Sequence, residues 1–384
     1  MTQNVIEILD GGLLTTIQDT GRFGFQKFGI PVSGAMDIQS LKIANKLLNN
    51  PINAACIEIT VIGPKIKFLK DTFISITGAN ISPKINNKKT QMWQSIKIKK
   101  GDILEFKELL DGMRSYIAFV EGIDVEKIMD SRSTYLQGNL GGFKGRKLES
   151  GDILKSFKNN DDDNNMHLRK YEPLVYGHEH AIRIILGPQN DYFPPESIST
   201  LLNSEYTISL ESDRMGYRLN GPTIKHIDTP DIISDGSPYG AIQIPGDGIP
   251  IILLADRGTT GGYTKIATII SSDLTKLAQA LPGDILKFSV ITIEEATKLI
   301  KSESQYLESY QEFTNKDEDT IFNIYIDGEL IEIIDDTENL YGIKEKLSPP
   351  TITKSINAQT KIPQSGHNFD FEIEITRKQS IDEI

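Results

Sequence analysis

The chain has 384 residues, 38% hydrophobic and 24% charged, the composition of a globular protein long enough to bury a substantial core. Its 53 acidic and 41 basic residues give a formal charge of -12, a balance that repels phosphate backbones and argues against nucleic acid as a partner. The single cysteine, Cys56, excludes an intrachain disulfide and suits a reducing compartment. The first residues, Met1-Thr2-Gln3-Asn4-Val5, lack the basic and apolar regions of a signal peptide. No window approaches 18 uninterrupted apolar residues. The expectation is a cytoplasmic protein with no membrane association.

In chain order, Val5 to Leu9 reads as a strand stopped by Asp10-Gly11-Gly12. Asp37 to Asn50 carries Ile38, Leu41, Leu47 and Leu48 at helical spacing and ends before Pro51. Cys56 sits in the apolar run Ala54-Ala55-Cys56-Ile57 and reads as a small core residue. Short strands follow at Ile66 to Leu69, Phe73 to Ile76 and Ile96 to Ile98. The phrase Gly-Asp-Ile-Leu occurs at Gly101, Gly151 and Gly283; Gly-Asp supplies a turn and Ile-Leu begins a strand, so the phrase predicts three similar strand starts in one barrel-like architecture. The polar run Asn159 to Asn165 reads as a solvated loop and a candidate divide between two lobes. Ile182 to Leu186 and Ile249 to Ala255 read as buried strands.

Ser272 to Leu281 predicts a second helix, with Ser272 or Asp273 as its cap. Thr292 and Glu295 form a capping box before a helix whose apolar stripe needs a surface to cover. Ile321 to Ile334 reads as a hairpin turning at Asp327-Gly328. From Lys344 the composition predicts a flexible tail.

Most catalytic signatures are absent: there is no phosphate loop, no Gly-x-Ser-x-Gly and no His-Glu-x-x-His. His178-Glu179-His180 places two imidazoles on one face of an extended segment with no third ligand in view, so a loop leading into a strand is preferred to a metal site. Three segments are harder to read as scaffold: Thr15 to Asp37, Glu211 to Leu219, and Gly240 to Lys265. Within the last, Thr259-Thr260-Gly261-Gly262-Tyr263 with Lys265 fits either an anion-binding nest of backbone amides or a tight turn on a barrel rim.

These segments, with Arg114 to Ala118, Ser131 to Thr134 and Leu140 to Arg146, resemble the allophanate hydrolase subunit 2-like, or biotin-dependent carboxyltransferase, family. The resemblance runs from about Ile8 to about Val290. It implies a mostly β, cyclophilin-like β-barrel body with a few short helices, here followed by a C-terminal helix and a small hairpin extension. The division expected is a body over 1–292, a linking helix over 293–320 and an extension over 321–384.

The family includes the C-type component of bacterial ATP-dependent 5-oxoprolinase, which would act with A- and B-type subunits on 5-oxo-L-proline, with ATP used in the complex. It also includes one half of the carboxyltransferase region of urea carboxylase, which would need a separate biotinylated carrier. A third kind of member is a non-catalytic protein that antagonises a kinase inhibitor. The first assignment is preferred. The extension resembles the opening hairpin of a biotinyl carrier domain but lacks Met-Lys-Met, so no covalently attached biotin is expected. Under this assignment the candidate catalytic residues are Lys265, Arg214 and Gln243. Thr259, Thr260, Gly261, Gly262, Tyr263 and Arg132 are the candidates for binding substrate.

Overall fold

The computed structural model describes residues 2–157 and 168–313, and the backbone of five further strands between 321 and 376. The polar run Asn159 to Asn165 and the turn Asp327-Gly328 fall outside the described residues. The chain divides into two compact units, Met1–Gln311 and Glu312–Ile384.

The first half of unit 1 pairs two sheets. The seven-stranded sheet runs β11 (Ile123–Asp124), β12 (Ile153–Phe157), β1 (Thr2–Asp10), β4 (Lys65–Phe68), β9 (Ile103–Phe106), β6 (Pro83–Ile85), β7 (Lys88–Lys89). The five-stranded sheet runs β2 (Leu14–Gln18), β3 (Cys56–Thr60), β10 (Asp111–Phe119), β5 (Thr72–Asn80), β8 (Ser95–Ile98). Ile6, Ile17, Ile66, Phe68, Ile76 and Phe119 belong to the core of this half. Alternation does the sorting: in β4, Lys65 and Lys67 are exposed while Ile66 and Phe68 are buried. Cys56 is buried at the start of β3, and burial pushes its thiol pKa up, as the core reading requires.

Helix α1 (Ile38–Leu47) lies on β5, where Ser75 Oγ and Thr77 Oγ1 donate to the carbonyls of Ala44 and Ser40. Asp37 caps it by accepting from Ser40 N at 3.0 Å. The helix stops short of the predicted Asn50 because Asn49 turns left-handed, with φ 57°.

The second half of unit 1 is a closed barrel. Its order is β14 (Glu179–Leu186), β21 (Ile285–Val290), β15 (Glu205–Ile208), β16 (Gly216–Asn220), β19 (Ile251–Leu253), β18 (Ala241–Ile244), β20 (Thr260–Ile269), and β20 pairs back to β14. Of these pairings β14 with β21 is parallel. Ile182, Ile184, Tyr206, Leu219, Ile242 and Ile252 belong to its core. Strand β17 (Asp231–Gly236) is an outer edge on β20. Helix α2 (Pro195–Asn203) has no counterpart among the predicted elements; its sequence signals are Pro195 at the first turn and Ile198, Leu201 and Leu202 at helical spacing. Strand β13 (Leu168–Lys170) follows the polar run.

The three Gly-Asp-Ile-Leu phrases build one repeated turn. Gly101, Gly151 and Gly283 have φ of 95°, 89° and 94°, which favours glycine. The aspartate after each glycine accepts from the backbone N–H three residues earlier: Asp102 from Lys99 at 2.8 Å, Asp152 from Glu149 at 2.8 Å and Asp284 from Leu281 at 2.7 Å. Each isoleucine opens a strand, β9, β12 or β21. The aspartates serve the turn, as expected, but the turns do not share one barrel: two belong to the seven-stranded sheet and one to the barrel.

Helix α3 (Leu274–Gln279) is shorter than predicted and follows a 3-10 turn, Ser271–Asp273. Asp273 does not cap it; its carboxylate instead holds Arg183, accepting from Nε at 2.9 Å and Nη2 at 2.7 Å. Helix α4 (Ile293–Tyr306) carries the expected capping box. Tyr306, Leu307 and Tyr310 pack on Ile43, Leu47, Trp93 and Tyr171, so this segment rests on the first half of unit 1. His178 and His180 both face Asp284, at 2.8 and 3.2 Å.

Strand β22 (Gln311–Phe313) spans the division between units. Unit 2 forms a sheet ordered β25 (Asn339–Lys346), β24 (Glu329–Asp336), β23 (Ile321–Ile326), β27 (Phe371–Thr376), β26 (Ile356–Ala358). The predicted hairpin is present, with Ile326 opposite Glu329. Much of the tail expected from Lys344 lies outside the described residues; within it, β27 pairs with β23, and Phe371-Glu372-Ile373-Glu374-Ile375-Thr376 has the period-two alternation of a strand. Among the described residues, no helix is long and apolar enough to cross a membrane.

Candidate functional site

A pocket of about 430 Å³ opens beside the barrel, lined in part by Asp235, Ser237, Arg257, Thr259 and Lys265, with Gln26, Pro31 and Val32 contributed by the first half of the chain. Strand pairing sets a polar side chain beside Lys265. Gln243 on β18 is opposite Lys265 on β20, and directly paired residues share a face. Both are buried, Lys265 with 1% of its surface exposed.

Lys265 Nζ approaches Asp235 Oδ2 at 3.3 Å without an aligned hydrogen bond, and Gln243 Nε2 has no partner. A buried donor left unpaired costs free energy on the order of 1–3 kcal/mol, so Gln243 Nε2 is free to take an acceptor. The Gly236 amide, and after it Lys265, hold the Asp235 carboxyl below its ordinary pKa. Arg257 donates from Nε to Ser237 O at 2.6 Å and stacks over Tyr239 at 5.4 Å; burial lowers its pKa.

The loop reading of Thr259 to Tyr263 is corrected. Thr260, Gly261, Gly262 and Tyr263 begin β20, and Thr260, Gly261 and Tyr263 pair with Gly236, Asp235 and Asp231. Amides along a strand alternate in direction and do not converge on one anion, so there is no nest. A Cβ on Gly261 would lie 2.6 Å from Gln243 Nε2, so a larger residue there would press on the flexible end of that side chain. Thr259 lines the pocket.

Arg214 lies apart from this pocket. It is buried, and its guanidinium binds Glu58, Asp256 (Nε to Oδ2, 2.8 Å) and the Gly34 carbonyl (2.7 Å). Its charge is consumed in a seam between the two halves of unit 1. Burial alone would lower its pKa, and Asp256 and Glu58 more than offset this. Tyr116 donates to Glu58 at 2.7 Å, extending the seam.

Arg132 lines a different hollow, of about 280 Å³, with Asp19, Lys127 and Phe157. Its Nε donates to Val125 O at 3.0 Å and its guanidinium stacks over Phe157 at 5.0 Å. The pocket therefore holds Lys265 and Thr259, with Gln243 opposite Lys265 on the neighbouring strand, and Arg214 and Arg132 lie elsewhere. A slightly larger hollow, about 460 Å³, lies along Asp124 to Ile128 and Gly141 to Gly145; none of its lining residues carries a buried donor without a partner, so it is a weaker candidate than the lysine pocket.

Sequence reasoning missed Asp235, Ser237 and Arg257. Arg257 lies inside a segment already singled out. Asp235 and Ser237 sit in Ser234-Asp235-Gly236-Ser237-Pro238, which reads as ordinary turn chemistry. Chemically, Lys265, Arg257, Ser237 and Thr259 supply donors around the pocket, with Asp235 as the carboxylate on its rim and Gln243 opposite Lys265 on the neighbouring strand. Such a site suits a ligand rich in acceptors, a carboxylate or an amide carbonyl.

A family model described as carboxyltransferase domain, subdomain A and B, matches residues 28–290. The chain is 36% identical over 304 residues to the C-type component of 5-oxoprolinase from Escherichia coli (strain K12), covering 79% of this chain and 97% of that one. It is 32% identical over 393 residues to the urea amidolyase of Lachancea kluyveri, covering 94% of this chain but 21% of that protein. The crystal structure of the K. lactis urea amidolyase superposes with a TM-score of 0.73 at 28% identity, covering 86% of this chain and 22% of that one. The chain belongs to the carboxyltransferase-domain family.

Proposed function

We propose that this member of the carboxyltransferase-domain family is the C-type component of an ATP-dependent 5-oxoprolinase, which hydrolyses the lactam of 5-oxo-L-proline to L-glutamate together with A- and B-type subunits. Similarity across 97% of the Escherichia coli C-type component supports this. The observation that carries it to a site is the Lys265 ammonium lining the pocket, with the unpartnered Gln243 amide opposite it on the neighbouring strand. The substrate has two acceptors to match them, a carboxylate and a lactam carbonyl.

In this reading Lys265 binds the carboxylate and Gln243 Nε2 donates to the lactam oxygen. Arg257 offsets charge that develops on that oxygen as the amide resonance is lost. ATP, in the assembled enzyme, would supply the phosphoryl group that makes the lactam carbon a better electrophile. No nucleotide position is assigned to this chain. Co-expression with A- and B-type partners should give ATP-dependent glutamate release that requires this chain. Full activity without it would overturn the reading.

One observation favours a second reading, a carboxyltransferase half served by a separate biotinylated carrier. Unit 1 ends at residue 311 of 384. A match covering 94% of the chain must therefore enter unit 2, whereas a 79% match fits within unit 1. Unit 2 thus has a counterpart in a urea amidolyase. Activity that needs an added biotinylated carrier and is blocked by avidin would select this alternative.

A further inference from the structure

We infer that Asp235 is an exchangeable counter-ion, paired with Lys265 and yielding it to the carboxylate of an incoming ligand. This rests on the reading of Lys265 as a ligand-binding group, and it adds a residue that sets affinity and selects for charge.

The two partners differ in how firmly they are held. Lys265 is anchored within β20, 1% exposed, with its backbone N–H donating to Gln189 Oε1 at 3.2 Å. Asp235 lies on β17, the outer edge strand, and its side chain is 55% exposed. The pairing of β17 with β20 shifts register between Asp231 and Asp235, so the ladder is broken just before the aspartate. Of the six residues of β17, five are exposed, leaving little packing to fix the strand.

An ammonium at 1% exposure needs a negative partner, because an isolated buried charge is costly. Asp235 is the carboxylate that meets it, at 3.3 Å and without an aligned hydrogen bond. A ligand carboxylate entering the same pocket would offer Lys265 the same charge, and the adjacent Gln243 amide would add a donor that Asp235 leaves unused. The released Asp235 keeps water and the Gly236 amide, which donates to it at 2.7 Å. Selectivity follows: an uncharged ligand cannot replace Asp235 on Lys265, and a ligand carboxylate can.

The test is calorimetric binding to the full chain of three probes: 5-oxoproline, its uncharged carboxamide, and acetate. Asp235→Asn removes the competitor while keeping the shape. The ion pair is exposed on one side, so its loss should tighten carboxylate binding by about two- to fivefold. The carboxamide should be unchanged. Asp235→Glu should restore the wild-type affinity, and Lys265→Met should abolish the gain in the double variant.

A merely structural Asp235 predicts weaker or unchanged carboxylate binding in Asp235→Asn, and either result overturns the inference. So does the absence of carboxylate binding by both forms. The outcome is separable from the proposed reaction: tighter acetate binding with no preference for 5-oxoproline would support the exchange and count against the lactam substrate.

Discussion

Two buried polar regions of unit 1 use the same kinds of side chain to opposite ends. In the seam between its halves, Arg214 meets Glu58, Asp256 and a carbonyl oxygen. In the pocket beside the barrel, Lys265 has one loosely placed carboxylate and Gln243 has no partner for its amide. Buried charge is tolerated in the first region because it is neutralised internally. In the second region it is left partly unsatisfied, at a cost to stability that a ligand can recover. Burial and charge alone do not separate the two; completeness of pairing does.

The largest effect that would sharpen this contrast is in the seam. Arg214→Met leaves Glu58 and Asp256 buried without their cation and should destabilise the fold by about 3–5 kcal/mol. A chemical denaturation midpoint close to wild type would show that the seam is not structural and would return Arg214 to the site candidates.

Acid should also act on the structural pairs. Burial would raise the Asp273 pKa, but its hydrogen bonds with Arg183 bring it below 3.8; Asp152 is likewise lowered by Arg146 against the effect of burial. Groups with depressed folded values contribute stability that is complete above the unfolded pKa and lost as pH falls through the folded one. Denaturation midpoints should therefore drop below about pH 4, and an Arg146→Met, Arg183→Met double variant should show a shallower acid slope. An equal slope in that variant would assign the acid loss to other carboxylates.

In the pocket, Gln243→Leu should lower kcat/KM of the reconstituted enzyme by about tenfold, the equivalent of one neutral hydrogen bond. The denaturation midpoint should not fall, because the amide removed has no internal partner. A large loss of stability would mean that Gln243 belongs with the seam.

The smallest effect is expected at a shared turn. Gly101→Ala meets no neighbouring atom within 4 Å, so only the left-handed backbone opposes it, at about 1–2 kcal/mol. Neutrality there would show that the turn relaxes.

What is legible in the sequence divides along the same line. Alternating strands, the Thr292 cap and the three Gly-Asp turns depend on residues within a few positions of one another, and all appear in the structure. The candidate site depends on positions far apart in the chain, such as Asp235 and Lys265, and sequence reasoning reaches only Lys265, Gln243 and Thr259 of it. Arg214 misleads because its sequence neighbourhood, Asp213-Arg214-Met215-Gly216, shows neither Glu58 nor Asp256, which reach it only in the fold. The alternation at Phe371 to Thr376 is present but masked by the polar composition around it.

The central claim is that the Lys265 pocket, and not the Arg214 seam, carries the function. The most direct measurement is turnover of the reconstituted three-component enzyme containing Lys265→Met, alongside the denaturation midpoint of the same chain. The account predicts ATP-dependent glutamate release reduced by about 100-fold or more, with the midpoint and the assembly of the complex retained. Unchanged turnover in a folded, assembled Lys265→Met enzyme would contradict it.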